Sequence, residues 1–207
     1  MKKLIVFIYA VLAGVAIAIG GTIFLACDNR YVGAVMFSVG LYAVCTLGLN
    51  LFTGKVCYIF DNKFSYLLDV ALIWIGNLVG SLAMGTLVRN TRLTAVVAAA
   101  EGVAATKLGD GLVSIFLLAI LCNIMIFLAV ENYKNNPHEF GKYLGVVVAV
   151  TVFVLAGFEH CVANMFYITA AGAWSGKAIL YLIVMTLGNT VGGVIFPLAR
   201  KLKDKYN

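Results

Sequence analysis

Charge is scarce in this sequence. Only 12% of its 207 residues are Asp, Glu, Lys or Arg, against about a quarter in soluble domains. Apolar residues make up 63%, and the mean hydropathy is +1.02. A soluble globular domain is excluded. Histidine is almost missing, and of the two present only His160 lies inside an apolar run. One imidazole in a membrane cannot hold a haem or metal centre by itself, which removes a membrane redox enzyme from consideration. Proline occurs twice, at neither of the interrupted segments described below. The paired Asn-Pro-Ala turns of a neutral-solute channel are therefore absent. The five cysteines, Cys27, Cys45, Cys57, Cys122 and Cys161, are odd in number and form no CxxC. They read as small packing residues, with no disulfide or metal role. No cofactor is implied.

What is abundant is hydrocarbon. Apolar runs of about 20 residues recur from end to end, the length an α-helix needs to cross a bilayer core of about 30 Å. Six spans are predicted, at 4–26, 33–60, 65–88, 111–131, 142–173 and 176–199, joined by short loops in one transmembrane domain over 1–207. The opening run "MKKLIVFIYAVLAGVAIAIGGTIFLA" outlasts a typical signal-peptide core and reads as a retained first span. The net charge of +6 does not point to nucleic acid, because of where it falls. Lys2, Lys3, Lys63, Lys134, Lys142 and the run Arg200, Lys201, Lys203, Lys205 share one side of the predicted topology. Arg30, Arg89, Arg92, Lys107 and Lys177 lie on the other. The excess predicts a multi-pass protein of the cell membrane with cytoplasmic termini.

Two spans are interrupted. The second contains "LNLFTGKV", with Asn50, Thr53, Gly54 and Lys55, and the fifth contains Glu159 and His160. The third and sixth also correspond, through "GNLVG" at 76–80 and "GNTVG" at 188–192. Three spans repeated after an odd number of crossings enter the membrane in opposite senses. The pattern predicts an inverted 3+3 repeat, halves about 1–90 and 107–207, with broken second and fifth helices pointing to a midplane site. Non-helical backbone at that depth is tolerated only where it is buried or lines a cavity. Half-helices starting there direct free N–H groups inward, an arrangement suited to a small anion. The many glycines, among them Gly14, Gly76, Gly80, Gly188 and Gly192, are expected at close helix contacts.

His160 is the leading candidate, since an ionisable side chain within a span is functional by default. Its alternative role is to bond a freed backbone carbonyl. Glu159, beside it, needs a partner: Lys107, backbone N–H groups, or both. It reads as a brace more than a proton carrier. Thr53 lies in the first break as the counterpart of His160, either donating to an ion or satisfying the backbone. Lys55 either faces a vestibule or snorkels to the interface. Lys107 sits in a small-residue loop, "EGVAATKLGD". Asn123 and Asn164 are lone amides suited to interhelical hydrogen bonds, and Asn164, like Lys55, is also a candidate vestibule residue. Phe37, Phe52, Phe153 and Phe158 flank the breaks, where aromatic rings form hydrophobic constrictions.

Read together, these segments resemble the formate/nitrite transporter family. "GLNLFTGKV", "GNLVGS", "CNIMIFLAV", "GFEHCVANMF" and "GNTVGG" match its motifs in order over nearly the whole chain. The resemblance implies an aquaporin-like protomer in a homopentamer, each with a pore for small monovalent weak-acid anions and protons: formate, with nitrite or hydrosulfide as alternatives. It implies His160 as the central pore residue, Thr53 beside it, and Lys107, Glu159 and Asn123 in support. Phe37, Leu41, Leu51, Phe52 and Phe153 match constriction positions. Lys55 departs from the family, many of whose members carry a neutral polar residue there.

Overall fold

Long apolar segments satisfy their backbone away from water as α-helices, and in the structure, a computed structural model, helix is the only regular element among the described residues, 1–206. The helices are α1 (Lys2–Ala26), α2 (Arg30–Thr46), α3 (Phe52–Lys55) with a 3-10 continuation (Val56–Asp61), α4 (Tyr66–Arg89), α5 (Thr94–Gly109), α6 (Leu112–Asn135), α7 (Glu139–Leu155), α8 (Cys161–Ala171) and α9 (Gly176–Tyr206). Among the described residues α1, α4, α6 and α9 are long and apolar enough to cross a membrane. The predicted second and fifth spans are each two helices, separated by non-helical backbone at 47–51 and 156–160.

One expectation is corrected. The loop expected around Lys107 is the 16-residue helix α5, with Lys107 in its last turn. Six of its first seven residues are alanine or valine, and alanine carries the highest helix propensity. A cation in the last turn also complements the carbonyl end of the helix dipole.

Side-chain contacts sort the helix ends. Lys3 pairs with Asp69, Arg200 with Glu131 at 2.6 Å and Lys201 with Asp61 at 3.0 Å, gathering one end of the bundle. At the other, Arg89 donates to the Ala170 carbonyl and Tyr181 to that of Asp110. α1 and α6 therefore run antiparallel, as do their partners α4 and α9. α1 packs on α4, and α6 on α9. Both pairs depend on glycine: a Cβ on Gly80 would strike the Val11 carbonyl, and one on Gly192 that of Ile120. Polarity is reversed relative to a soluble bundle. Thr53, Asn77, Asn123, Glu159, His160, Asn164 and Asn189 are buried, while Leu117, Leu121 and Leu128 face outward.

Candidate functional site

The two breaks share one design. α2 ends in Gly48 and α7 in Gly157, at φ +64° and +72°, the left-handed conformation that glycine adopts without strain. After each, the chain reaches back: the Leu49 N–H donates to the Val44 carbonyl at 2.9 Å, and that of Phe158 to the Phe153 carbonyl at 3.0 Å. These are Schellman closures, which satisfy carbonyls the helix end leaves open. Three residues later a new helix starts, with Leu51 as N-cap of α3 and His160 as N-cap of α8.

A buried asparagine holds each restart. Asn77 Oδ1 accepts the Phe52 N–H at 2.8 Å, and its Nδ2 donates to the carbonyls of Ala10 and Asn50 at 2.8 and 2.9 Å. Asn189 Oδ1 accepts the Cys161 N–H at 2.9 Å, and its Nδ2 donates to the carbonyls of Ala119 and Glu159 at 2.7 and 2.8 Å. "GLNLF" thus superposes on "GFEHC". This corrects the expected correspondence: His160 is the counterpart of Leu51, not of Thr53, and Glu159 is the counterpart of Asn50. It also changes the expected anion donors, since the first N–H of each restart is already bonded to an amide. No sequence expectation assigns the asparagines this role, although the repeat "GN-V-G" marks both positions.

Thr53 meets His160 from the opposite half, Oγ1 to Nε2 at 3.0 Å, with both residues buried. His160 Nδ1 accepts the Ala163 N–H at 3.1 Å. Because Nδ1 is an acceptor, the neutral ring carries its proton on Nε2, which donates to Thr53 Oγ1. The Thr53 hydroxyl keeps its own proton to give. Asn123 Nδ2 donates to the carbonyls of Thr53 and Asn189 at 3.1 and 2.7 Å, tying α3 to α9.

Glu159 is braced. Its Oε2 accepts from Lys107 Nζ at 2.8 Å and from Asn164 Nδ2 at 2.6 Å. The Glu159 side chain is 4% exposed and that of Lys107 17%. Of the partners expected for Glu159, Lys107 is present; the second is the Asn164 amide, and backbone N–H groups are not used.

Cavities open on either side of the Thr53–His160 pair. The larger, about 560 Å³, reaches Phe37, Phe153 and His160 and carries Arg30, Lys107, Asp110, Glu159 and Asn164 on its walls. The Ser114 hydroxyl and the Gly111 N–H hold the Asp110 carboxyl below its usual range. The smaller, about 270 Å³, ends on Leu41 and Leu51 and carries Lys55, Tyr133 and Lys134. Phe37 and Phe153 meet edge to face at 6.0 Å, and Phe153 stacks on His160 at 5.8 Å. Leu41, Leu51 and Phe52 are buried; Phe52 lines neither cavity. Lys134, expected only as a loop charge, joins Lys55 on the wall of the smaller cavity because α3 packs on α6, a proximity that no local signal marks.

A polar centre between two chambers inside an apolar helical bundle is the architecture of a membrane channel. Comparison with known proteins gives the same class. Residues 1–200 match the profile of the formate/nitrite transporter family. The chain is 34% identical over 184 residues to the uncharacterized transporter YrhG of Bacillus subtilis (81% of this chain, 69% of the relative). It is 29% identical over 190 residues to the formate channel FocB of Escherichia coli (82% and 67%). Among solved structures, a pentameric formate channel with formate bound superposes with a TM-score of 0.86 at 25% identity, covering 100% of this chain and 98% of that one. The chain belongs to the formate/nitrite transporter family, whose members are membrane channels and transporters and not enzymes.

Proposed function

We propose that the protein conducts formate through each protomer of a homopentamer in the cell membrane, with cytoplasmic termini and with α2–α3 and α7–α8 completing six crossings. The observation that carries the reading is the buried Thr53–His160 pair at 3.0 Å between two cavities. The larger cavity faces outward, where Arg30 and Lys107 draw anions in. Phe37 and Phe153 on one side of the pair, and Leu41 and Leu51 on the other, exclude water. An anion crossing them loses its hydration, a cost several hydrogen bonds must offset. The Thr53 hydroxyl and His160 Nε2–H supply two such bonds once the anion replaces their mutual contact. Glu159, Lys107, Asn164 and Asn123 hold the break in register.

Passage depends on pH because the neutral acid crosses an apolar constriction more easily than its anion. With Nδ1 bonded to the Ala163 N–H, His160 acts as a hydrogen-bond donor. Delivering a full proton from Nε2 requires Nδ1 first to leave that bond and take up a proton. The formate-binding relatives support formate; nitrite and hydrosulfide share its charge and hydrogen-bonding capacity. The test is uptake of each anion into proteoliposomes at two pH values, with His160→Ala beside wild type. Formate uptake that rises as pH falls, and whose pH dependence the substitution changes, is the expected result. No uptake above empty liposomes by folded, inserted protein overturns it.

A further inference from the structure

The two cavities occupy matching places in the repeat, yet their charges differ. Aligning Gly48 with Gly157 places Asn50 opposite Glu159 and Lys55 opposite Asn164. The carboxylate that balances the larger cavity is thus replaced by an amide in the other half, and the amide by a cation. The larger cavity is lined by two cations, Arg30 and Lys107, and two carboxylates, Asp110 and Glu159. The smaller is lined by two cations, Lys55 and Lys134, and by no carboxylate. Neither lysine forms an ion pair among the described residues. Lys134 Nζ lies 4.0 Å over the Tyr58 ring. The nearby Glu131 is already engaged by Tyr58, Asn135 and Arg200.

We infer that the smaller cavity is a second anion site, suited to a small dianion that occupies the pore mouth without passing through it. Two unpaired ammonium groups match a charge of −2, and a monoanion leaves one of them uncompensated. The volume of about 270 Å³ holds far more than a three-atom ion, so a tetrahedral oxoanion or a short dicarboxylate fits. Its floor of Leu41 and Leu51, with a single hydroxyl and imidazole beyond, offers too little to desolvate two charges. The occupant therefore blocks formate from the end of the bundle that carries the termini. The blocking step rests on the formate-channel reading above; the binding step does not.

Sulfate, a dianion throughout the neutral range, is the probe. Calorimetric titration of purified protein at constant ionic strength is expected to give one site per protomer, with sulfate binding at least about tenfold more tightly than chloride. Replacing Lys55 and Lys134 together with Gln weakens sulfate about tenfold or more. Replacing both with Arg restores it, which separates lost charge from lost fold. Thr53→Val leaves sulfate binding intact. In proteoliposomes, sulfate on one face slows formate uptake, and the fractional block, normalised to each variant's own uninhibited flux, falls in the Gln variant. Absent sulfate binding, binding unchanged by the Gln pair, or sulfate entering the liposomes overturns the proposal. Lysine-dependent sulfate binding without formate flux overturns the formate reading while keeping the site.

Discussion

Asn77 and Asn189 hold equivalent positions in the two halves and make the same three hydrogen bonds, each tying the first N–H of a restarting helix to the carbonyl two residues before it and to a carbonyl of a neighbouring helix. Both are fully buried. An amide is the only small uncharged side chain that both accepts and donates twice.

Asn77→Ala and Asn189→Ala each strand one donor and two acceptors in an apolar interior, at about 1–3 kcal/mol per unsatisfied group. The apparent melting temperature in detergent should fall for both variants. Asn189→Ala should lose more formate flux, because it also frees the carbonyl before His160. Wild-type melting by either variant would falsify the pinning role.

The Lys107–Glu159 pair is the one ion pair on the walls of the larger cavity among the described residues. Lys107→Met leaves a buried carboxylate with one amide partner, and Glu159→Gln leaves a partly buried ammonium. Each single change is expected to cost about 1–3 kcal/mol. The double variant should be no less stable than the worse single, which a thermal-stability cycle measures directly. Additive losses exclude the pair as the source.

His160 caps α8 through Nδ1 and faces Thr53 through Nε2, and substitution separates the two tasks. Asn is a strong N-cap residue, so His160→Asn should melt close to wild type, whereas His160→Ala loses about 0.5–2 kcal/mol. Both should alter the pH profile of uptake. Thr53→Val removes a hydroxyl at nearly constant shape, and formate uptake should drop about two- to tenfold, the worth of one net hydrogen bond. An unchanged pH profile in both His160 variants, with undiminished uptake in Thr53→Val, removes the pair from the pore.

The glycines divide into two classes. A Cβ on Gly48 or Gly157 meets nothing within 4 Å, so alanine there costs only the left-handed backbone, about 1–2 kcal/mol. At Gly80 or Gly192 a Cβ strikes a backbone carbonyl, and the α1–α4 or α6–α9 pair must separate. Alanine there should cost about 1–3 kcal/mol and lower the yield of folded protein more than at Gly48 or Gly157. Equal losses at all four positions exclude this division.

Much of this molecule is legible without coordinates, because hydrocarbon thickness and buried polarity act locally. The length and apolarity of α1, α4, α6 and α9, and the polar residues that interrupt the second and fifth segments, follow from the cost of leaving backbone or charge unsatisfied in lipid. Helix α5 is not distinct in the sequence, because its small residues suit a loop as well as a helix. The repeat was visible, but its register was not: matching polar Thr53 to His160 is natural on paper. Only the glycine turns and asparagine bonds show that Leu51 is the true counterpart. Tertiary structure also decided which partnerships form: it took Lys107 from the partners expected for Glu159, added Asn164, and supplied the Asn189 bonds that no expectation included. Thr53 meets His160 across 107 positions, Lys107 meets Glu159 across 52, and Asn189 meets Cys161 across 28. Such contacts are set by how glycine-lined helices dock, and that geometry is a property of all the helices together, written in no single segment of the chain.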